Sequence, residues 1–142
     1  MQISNRCKLL YFLMLGTFLI FSCKNEASNQ PEPDKMELLS STTSKTWQIE
    51  KLYINDTMYV LSPIEKQYTV TYNADSTYVD SDGMGGKYLM DINGTKLIET
   101  LTLGGSGKFT YNIETLNAST LIMRLIDNGQ SNPNIQYHYR AK

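Results

Sequence analysis

KYLMDINGTKLIETLTL, residues 87–103, decides the fold. Tyr88, Met90 and Ile92 fall at alternate positions, with Lys87, Leu89 and Asp91 on the other face, and Leu97, Leu101 and Leu103 alternate again after a break at Asn93-Gly94. Period-2 alternation is the mark of a strand with one face buried. Asn-Gly between two such runs is a strong short-range hairpin signal and predicts a type I′ turn. Strands are therefore expected over 87–92 and 96–103. The same pattern continues in both directions. Upstream, strands are expected over 45–54, 67–73 and 76–80; downstream, over 108–114, 120–126 and 135–140. In the first of these, Trp47 and Ile49 share one face while Leu52 and Ile54 share the other. The change of phase near Glu50-Lys51 predicts a β-bulge.

The eight strands are short and joined mostly by tight turns, including Asn73-Ala74-Asp75, Gly104-Gly105-Ser106-Gly107 and Asn117-Ala118. Longer polar loops are expected over 80–86 and, with Pro133, over 128–134. Sequential antiparallel pairing is the simplest topology for such a series. Eight is a number at which a sheet closes into a small barrel without exposed edges. The fold class is thus all-β, an eight-stranded antiparallel up-and-down barrel. Its main rival, a β-sandwich, needs longer crossing connections. Met36-Glu37-Leu38-Leu39 is expected to form one helical turn ahead of the barrel.

The first 22 residues read as an address. Arg6 and Lys8 precede Leu9–Phe21, thirteen residues without a charge. A membrane-spanning helix needs about 20 apolar residues, and thirteen behind a basic start match a signal-peptide core. Ile20-Phe21-Ser22-Cys23 resembles the lipobox of bacterial lipoproteins, with Phe21 in place of the usual smaller residue. That resemblance implies cleavage before Cys23, a diacylglycerol thioether on its sulfur, and a membrane anchor of two or three acyl chains. The alternatives are an ordinary signal peptide with an incidental Cys and an uncleaved anchor. Residues 24–36 hold two Pro and no aliphatic cluster, as in a flexible tether. The domain organisation is then 1–22 signal peptide, 23–36 tether and 37–142 barrel.

Removal of 1–22 changes the composition. The whole chain of 142 residues carries a net charge of −1; without Arg6 and Lys8 it keeps eleven basic and fourteen acidic residues, a charge of −3. That balance excludes a nucleic-acid binder working through phosphate neutralisation. Cys7 is also lost, so no disulfide is expected in the exported chain.

Residues 38–142 resemble the lipocalin-like domain common in Bacteroidetes lipoproteins. Ser44-Lys45-Thr46-Trp47-Gln48-Ile49 is similar to its opening strand, with Ser44 and Lys45 replacing the Gly before the Trp. Tyr72-Asn73-Ala74-Asp75-Ser76-Thr77-Tyr78 is similar to its aromatic-flanked turn, with Ser76 replacing the turn Gly. Ile113-Glu114-Thr115-Leu116-Asn117-Ala118-Ser119-Thr120-Leu121 is similar to its late turn. The resemblance implies an up-and-down eight-stranded barrel and no shared catalytic residues. It also implies barrel closure by Trp47, with Arg140 above the indole or else solvated at the C-terminus. The expected location is the cell envelope, lipid-anchored at the outer membrane. Lys24-Asn25-Glu26 only weakly resembles surface-export tags, so the membrane face stays open. Asp56-Thr57-Met58 and Asp75-Ser76-Thr77 match a short Bacteroidetes O-glycosylation pattern at Thr57 and Ser76, both expected in loops.

No catalytic or cofactor constellation assembles from the residues. Asp80-x-Asp82 with Gly85 and Asp91 approaches EF-hand spacing, but Met84 falls where an oxygen ligand is needed and no helices flank it. Gly104–Lys108 precedes a strand, whereas a phosphate-cradling loop must open a helix. His138, the single His, shares the outer face of the last strand with Gln136 and Arg140. No acid or nucleophile has an orienting partner.

Tyrosine is the informative residue, with nine of ten lying beyond the leader. Tyr68, Tyr72, Tyr88, Tyr111, Tyr137 and Tyr139 all fall on the expected inner face. Either their rings fill the barrel and the hydroxyls emerge at its ends, or they line a space for waters or an amphipathic ligand. With Met90 and Met123 they form the candidate ligand-binding set. The expected function is a membrane-anchored, non-enzymatic envelope lipoprotein that binds a small apolar or amphipathic ligand. The alternative is a protein-interaction or structural subunit of an outer-membrane complex, with a solid barrel.

Overall fold

The computed structural model describes residues 34–128 and 134–142. The leader, Cys23, the tether through Pro33 and the loop residues 129–133 lie outside the described residues. A short helix, α1 (Lys35–Ser40), precedes nine strands. These are β1 (Ser44–Ile54), β2 (Thr57–Tyr59), β3 (Thr69–Asn73), β4 (Thr77–Asp80), β5 (Gly85–Met90), β6 (Lys96–Leu103), β7 (Gly107–Leu116), β8 (Thr120–Asp127) and β9 (Ile135–Ala141). From β3 onward each strand pairs antiparallel with its successor, and β9 pairs back to β1. The result is a closed eight-stranded up-and-down barrel with one extra strand, β2.

Strand β1 closes the barrel because it is long enough to serve three neighbours. On one edge β9 pairs with Trp47–Ile54. On the other, β3 takes Ser44–Gln48 and β2 takes Leu52–Ile54. The expected bulge is present: the register with β9 shifts between Ile49 and Lys51. The extra residue puts both Ile49 and Leu52 on the inner face, which strict alternation would forbid.

One end of the barrel is plugged. Asp34 caps α1 by accepting from the Met36 N–H at 3.1 Å. Leu39, at 0% exposure, lies over Trp47, also at 0%, whose indole Nε1 donates to the Leu39 carbonyl at 2.8 Å. Leu97 and Leu121 complete this packed layer. The cation at the indole is Lys45, with Nζ 4.3 Å from the ring centroid. Lys45 also donates to the carbonyls of Leu38 at 2.8 Å and Ala118 at 3.0 Å. Arg140, assigned that place from the resemblance, is exposed instead. The inward positions beside it in β9 belong to Tyr139 and Tyr137, so Arg140 projects outward.

Three local expectations are corrected. Asn93-Gly94 is not a type I′ turn: only Gly94 has positive φ, at 65°. The Asp91 carboxylate accepts from the N–H groups of Thr95 at 2.6 Å and Lys96 at 2.7 Å, which widens the loop. Ile92, expected inward, consequently lies in that loop at 100% exposure. The type I′ geometry belongs to Asn55-Asp56, with φ of 51° and 61°, joining β1 to the unexpected β2. Leu103 is exposed as well, because β6 runs past its last pairing with β7 at Leu101–Gly107.

Candidate functional site

The end opposite α1 opens into a cavity of about 660 Å³. Strand tops and two connections form its mouth. Leu61 and Ile64 come from the β2–β3 connection, and Ser81, Asp82 and Met84 from the β4–β5 loop. Of the eight residues in the candidate set, Tyr68, Tyr72, Tyr111, Met123, Tyr137 and Tyr139 line this cavity. Tyr88 and Met90 do not. Both are buried toward the plugged end, where the Tyr88 hydroxyl donates to the Asn73 carbonyl at 2.7 Å. The position of β5 explains this: its two inward aromatic and thioether side chains sit on the half of the strand that runs toward α1.

The rings pack on each other around the wall. Tyr72 meets Tyr88 edge-on at 5.1 Å and Tyr78 at 6.1 Å. Tyr137 stacks on Tyr139 at 6.1 Å and meets Tyr111 edge-on at 6.2 Å. Such pairs favour a fixed ring arrangement. The rings cover the wall and leave the centre of the upper barrel open. The barrel is therefore not solid.

Glu99 is a cavity-lining acid outside the expected ligand-binding set. It lies on the inner face of β6 between Leu97 and Leu101 and is 6% exposed. The Tyr72 hydroxyl donates to its Oε1 at 2.5 Å. Tyr111 donates to the same carboxyl group. Burial nevertheless raises Glu99 to about 7, because the two hydroxyl bonds only partly offset desolvation of the charged form. The tyrosines respond in the opposite sense to their own ionisation. Burial, and then the neighbouring Glu99, hold Tyr72 and Tyr111 far above the usual phenol range, so they remain donors. The alternation Leu97, Glu99, Leu101 was the available signal: an acid at an inward position of an otherwise apolar strand.

Asp80 sits nearer the mouth. Its Oδ2 accepts from the Tyr68 hydroxyl at 3.0 Å. Its Oδ1 accepts from the backbone N–H groups of Asp82 at 3.0 Å and Met84 at 2.9 Å. The Asp80-x-Asp82 motif thus shapes its own loop. Among the described residues no group of three or more His, Cys, Asp and Glu side chains is placed to hold a metal ion.

The remaining expected positions fall outside the cavity. His138 is half-buried on the outer face of β9, against Tyr53 at 5.0 Å and hydrogen-bonded to Gln136 at 2.9 Å. Thr57 is exposed at the start of β2 rather than in a loop. Ser76 is half-buried in the β3–β4 turn with φ of 66°.

Fold and site together define a small closed barrel with one plugged end and one tyrosine-lined cavity holding a buried acid. Comparison with family models, with curated proteins and with solved structures found no match.

Proposed function

We propose that this chain is a non-enzymatic, lipocalin-like lipoprotein of the bacterial cell envelope, anchored through lipid on Cys23, whose barrel binds a small apolar or amphipathic ligand. The cavity of about 660 Å³ carries this reading. Sites for small organic ligands occupy roughly 300–1,000 Å³, with mostly apolar walls and a few placed polar groups. Tyr68, Tyr72, Tyr111, Met123, Tyr137 and Tyr139 supply that lining. The resemblance of Ile20–Cys23 to a lipobox supports the anchor.

Two measurements test it. Titration of the purified full chain with the neutral fluorophore 1-aminoanthracene should give saturable fluorescence, and Met123→Trp, which fills the cavity, should weaken it. A linear, non-saturating signal counts against the cavity as a site. Separately, Cys23→Ser should move the protein from the membrane fraction to the soluble envelope fraction in its host. Unchanged fractionation removes the lipid anchor from the reading.

A second reading, a protein-interaction subunit of an outer-membrane complex, is favoured by one observation. Met58, Tyr59, Val60 and Ile64 are exposed along one short segment beside the mouth, Val60 at 80% and Ile64 at 82%. Exposed apolar residues grouped in this way mark contact surfaces. Crosslinking in intact cells should then capture a defined partner through this segment, and recovery of the protein alone counts against it.

A further inference from the structure

The cavity has a charge character that its apolar walls do not require. Four carboxylates line it, Glu65, Asp80, Asp82 and Glu99, and among the described residues no Lys, Arg or His does. Three of the four stand at the mouth, within reach of water. Glu99 does not: it is 6% exposed and faces hydroxyls instead of a cation. A buried acid with no positive partner is costly when ionised and is rarely kept in an otherwise apolar interior. A structural role in holding Tyr72 and Tyr111 would be met by a neutral amide of the same shape. What the carboxylate adds is negative charge in a pocket walled by aromatic rings, the combination that recognises organic cations.

The geometry points to an organic cation as the occupant: an ammonium group paired with Glu99, carried on an apolar body that fills the space between Tyr68, Tyr78, Tyr111 and Tyr137. This rests on the cavity being a binding site and specifies what that site selects. Tyr72 and Tyr111 each direct one hydroxyl hydrogen to Glu99, while a carboxylate can accept about four hydrogen bonds. An ammonium donor entering from the mouth can use acceptor positions they leave, and it supplies the positive charge the wall lacks. The carboxylates at the mouth favour entry of a cation and disfavour an anion of the same shape. The hydroxyls of the wall stay protonated throughout, since Tyr68, Tyr72, Tyr111 and Tyr139 are all held above the usual phenol range by burial.

The test uses two matched series on the full chain at pH 8, each with one apolar body and three head groups: tryptamine, tryptophol and indole-3-propionate; decylamine, decanol and decanoate. Competition against 1-aminoanthracene reads all six. In at least one series the amine should bind ~10-fold or more tightly than the alcohol, and the acid most weakly. Glu99→Gln should erase the amine's advantage and leave alcohol binding in place, which also shows that the variant is folded. If that variant does not fold, the head-group order in the unaltered protein decides alone. Alcohols binding as tightly as amines in both series would overturn the assignment of a cation while leaving the cavity as a site. Saturable binding of none of the six, nor of 1-aminoanthracene, removes the site itself and the inference with it.

Discussion

At Glu99 burial and hydrogen bonding act in opposite directions, and burial prevails. Its carboxyl titrates near 7 in the fold against 4.5 as its ordinary value. The folded state therefore binds the proton more tightly than the unfolded chain does. Stability is fully present below about pH 4.5 and falls as pH rises through 7, by roughly 3 kcal/mol between the two limits. Urea unfolding at pH 5 and pH 8 checks this. Wild type should lose stability over that interval, and Glu99→Gln should lose much less. His138 is held below its ordinary value by burial and slopes the other way in the same window, so the difference between the two proteins is the quantity to compare. Asp75 is exposed and Glu65 and Asp91 are half-buried; all three are lowered by hydrogen bonds, so their contribution is lost only at more acid pH. A second prediction concerns the plug. Lys45→Met removes the donor to two carbonyls and the cation at Trp47, and should cost about 1–3 kcal/mol. Arg140→Ala should stay within about 0.5 kcal/mol, as expected for an exposed side chain. Equal costs in denaturant titrations would return Arg140 to the closure. Tyrosine placement was legible because alternation alone sets which face a residue takes. Glu99 obeyed the same alternation but broke the rule that acids face water, and only closure of the barrel shows that its position has no route outward.

The strands themselves were legible wherever alternation continued without interruption, as in β6 and in β8, where Leu121, Met123 and Leu125 are all buried. Turns were less so, because side-chain hydrogen bonds compete with the backbone preference of a dipeptide. Asn93-Gly94 carries the stronger hairpin signal, yet the Asp91 carboxylate two residues earlier captures the Thr95 and Lys96 N–H groups and selects a wider loop. Asn55-Asp56, without glycine, takes the left-handed pair of conformations because β2 can then pair with the upper half of β1. A mutational contrast follows from the backbone angles. Asn55→Ala places alanine at φ of 51° and should destabilise by about 1–2 kcal/mol. Asn93→Ala meets no such strain and should be close to neutral. Thermal melts that rank the two in reverse order would contradict the turn assignment. The start of β5 was hidden for a different reason. Gly85 and Gly86 read as loop residues, but a Cβ on Gly86 would lie 1.9 Å from the Thr100 carbonyl oxygen. Glycine is there to let two strands approach across the bulge, a role composition alone does not distinguish from a turn.

Across the whole barrel the two ends differ in how much they bury. The plugged end holds Leu39, Trp47, Leu97 and Leu121, all at 0% exposure, whereas the mouth is framed by connections around an open cavity. Packing of this kind is what makes opening costly, so local stability should fall from plug to mouth. Amide exchange measured on the folded protein gives the gradient directly. The slowest amides should lie in β6 and β8 and in the first half of β1, near Trp47. The fastest structured ones should lie in β2, the Ser62–Gln67 segment and the β4–β5 loop. A cavity at one end also separates two effects that a change in melting temperature alone would merge. A ligand seated among Tyr68, Tyr111 and Tyr137 stabilises the folded state by mass action, slowing exchange wherever exchange requires global unfolding. An amide that exchanges by local opening is slowed only where that opening releases the bound molecule, so the mouth amides gain protection while local openings elsewhere do not. Tryptamine at saturation is therefore expected to protect Leu61, Tyr68 and Ser81 while leaving the locally opening amides of α1 unchanged. Protection confined to the outer face of β9, or centred on α1, would place the bound molecule elsewhere than in the cavity.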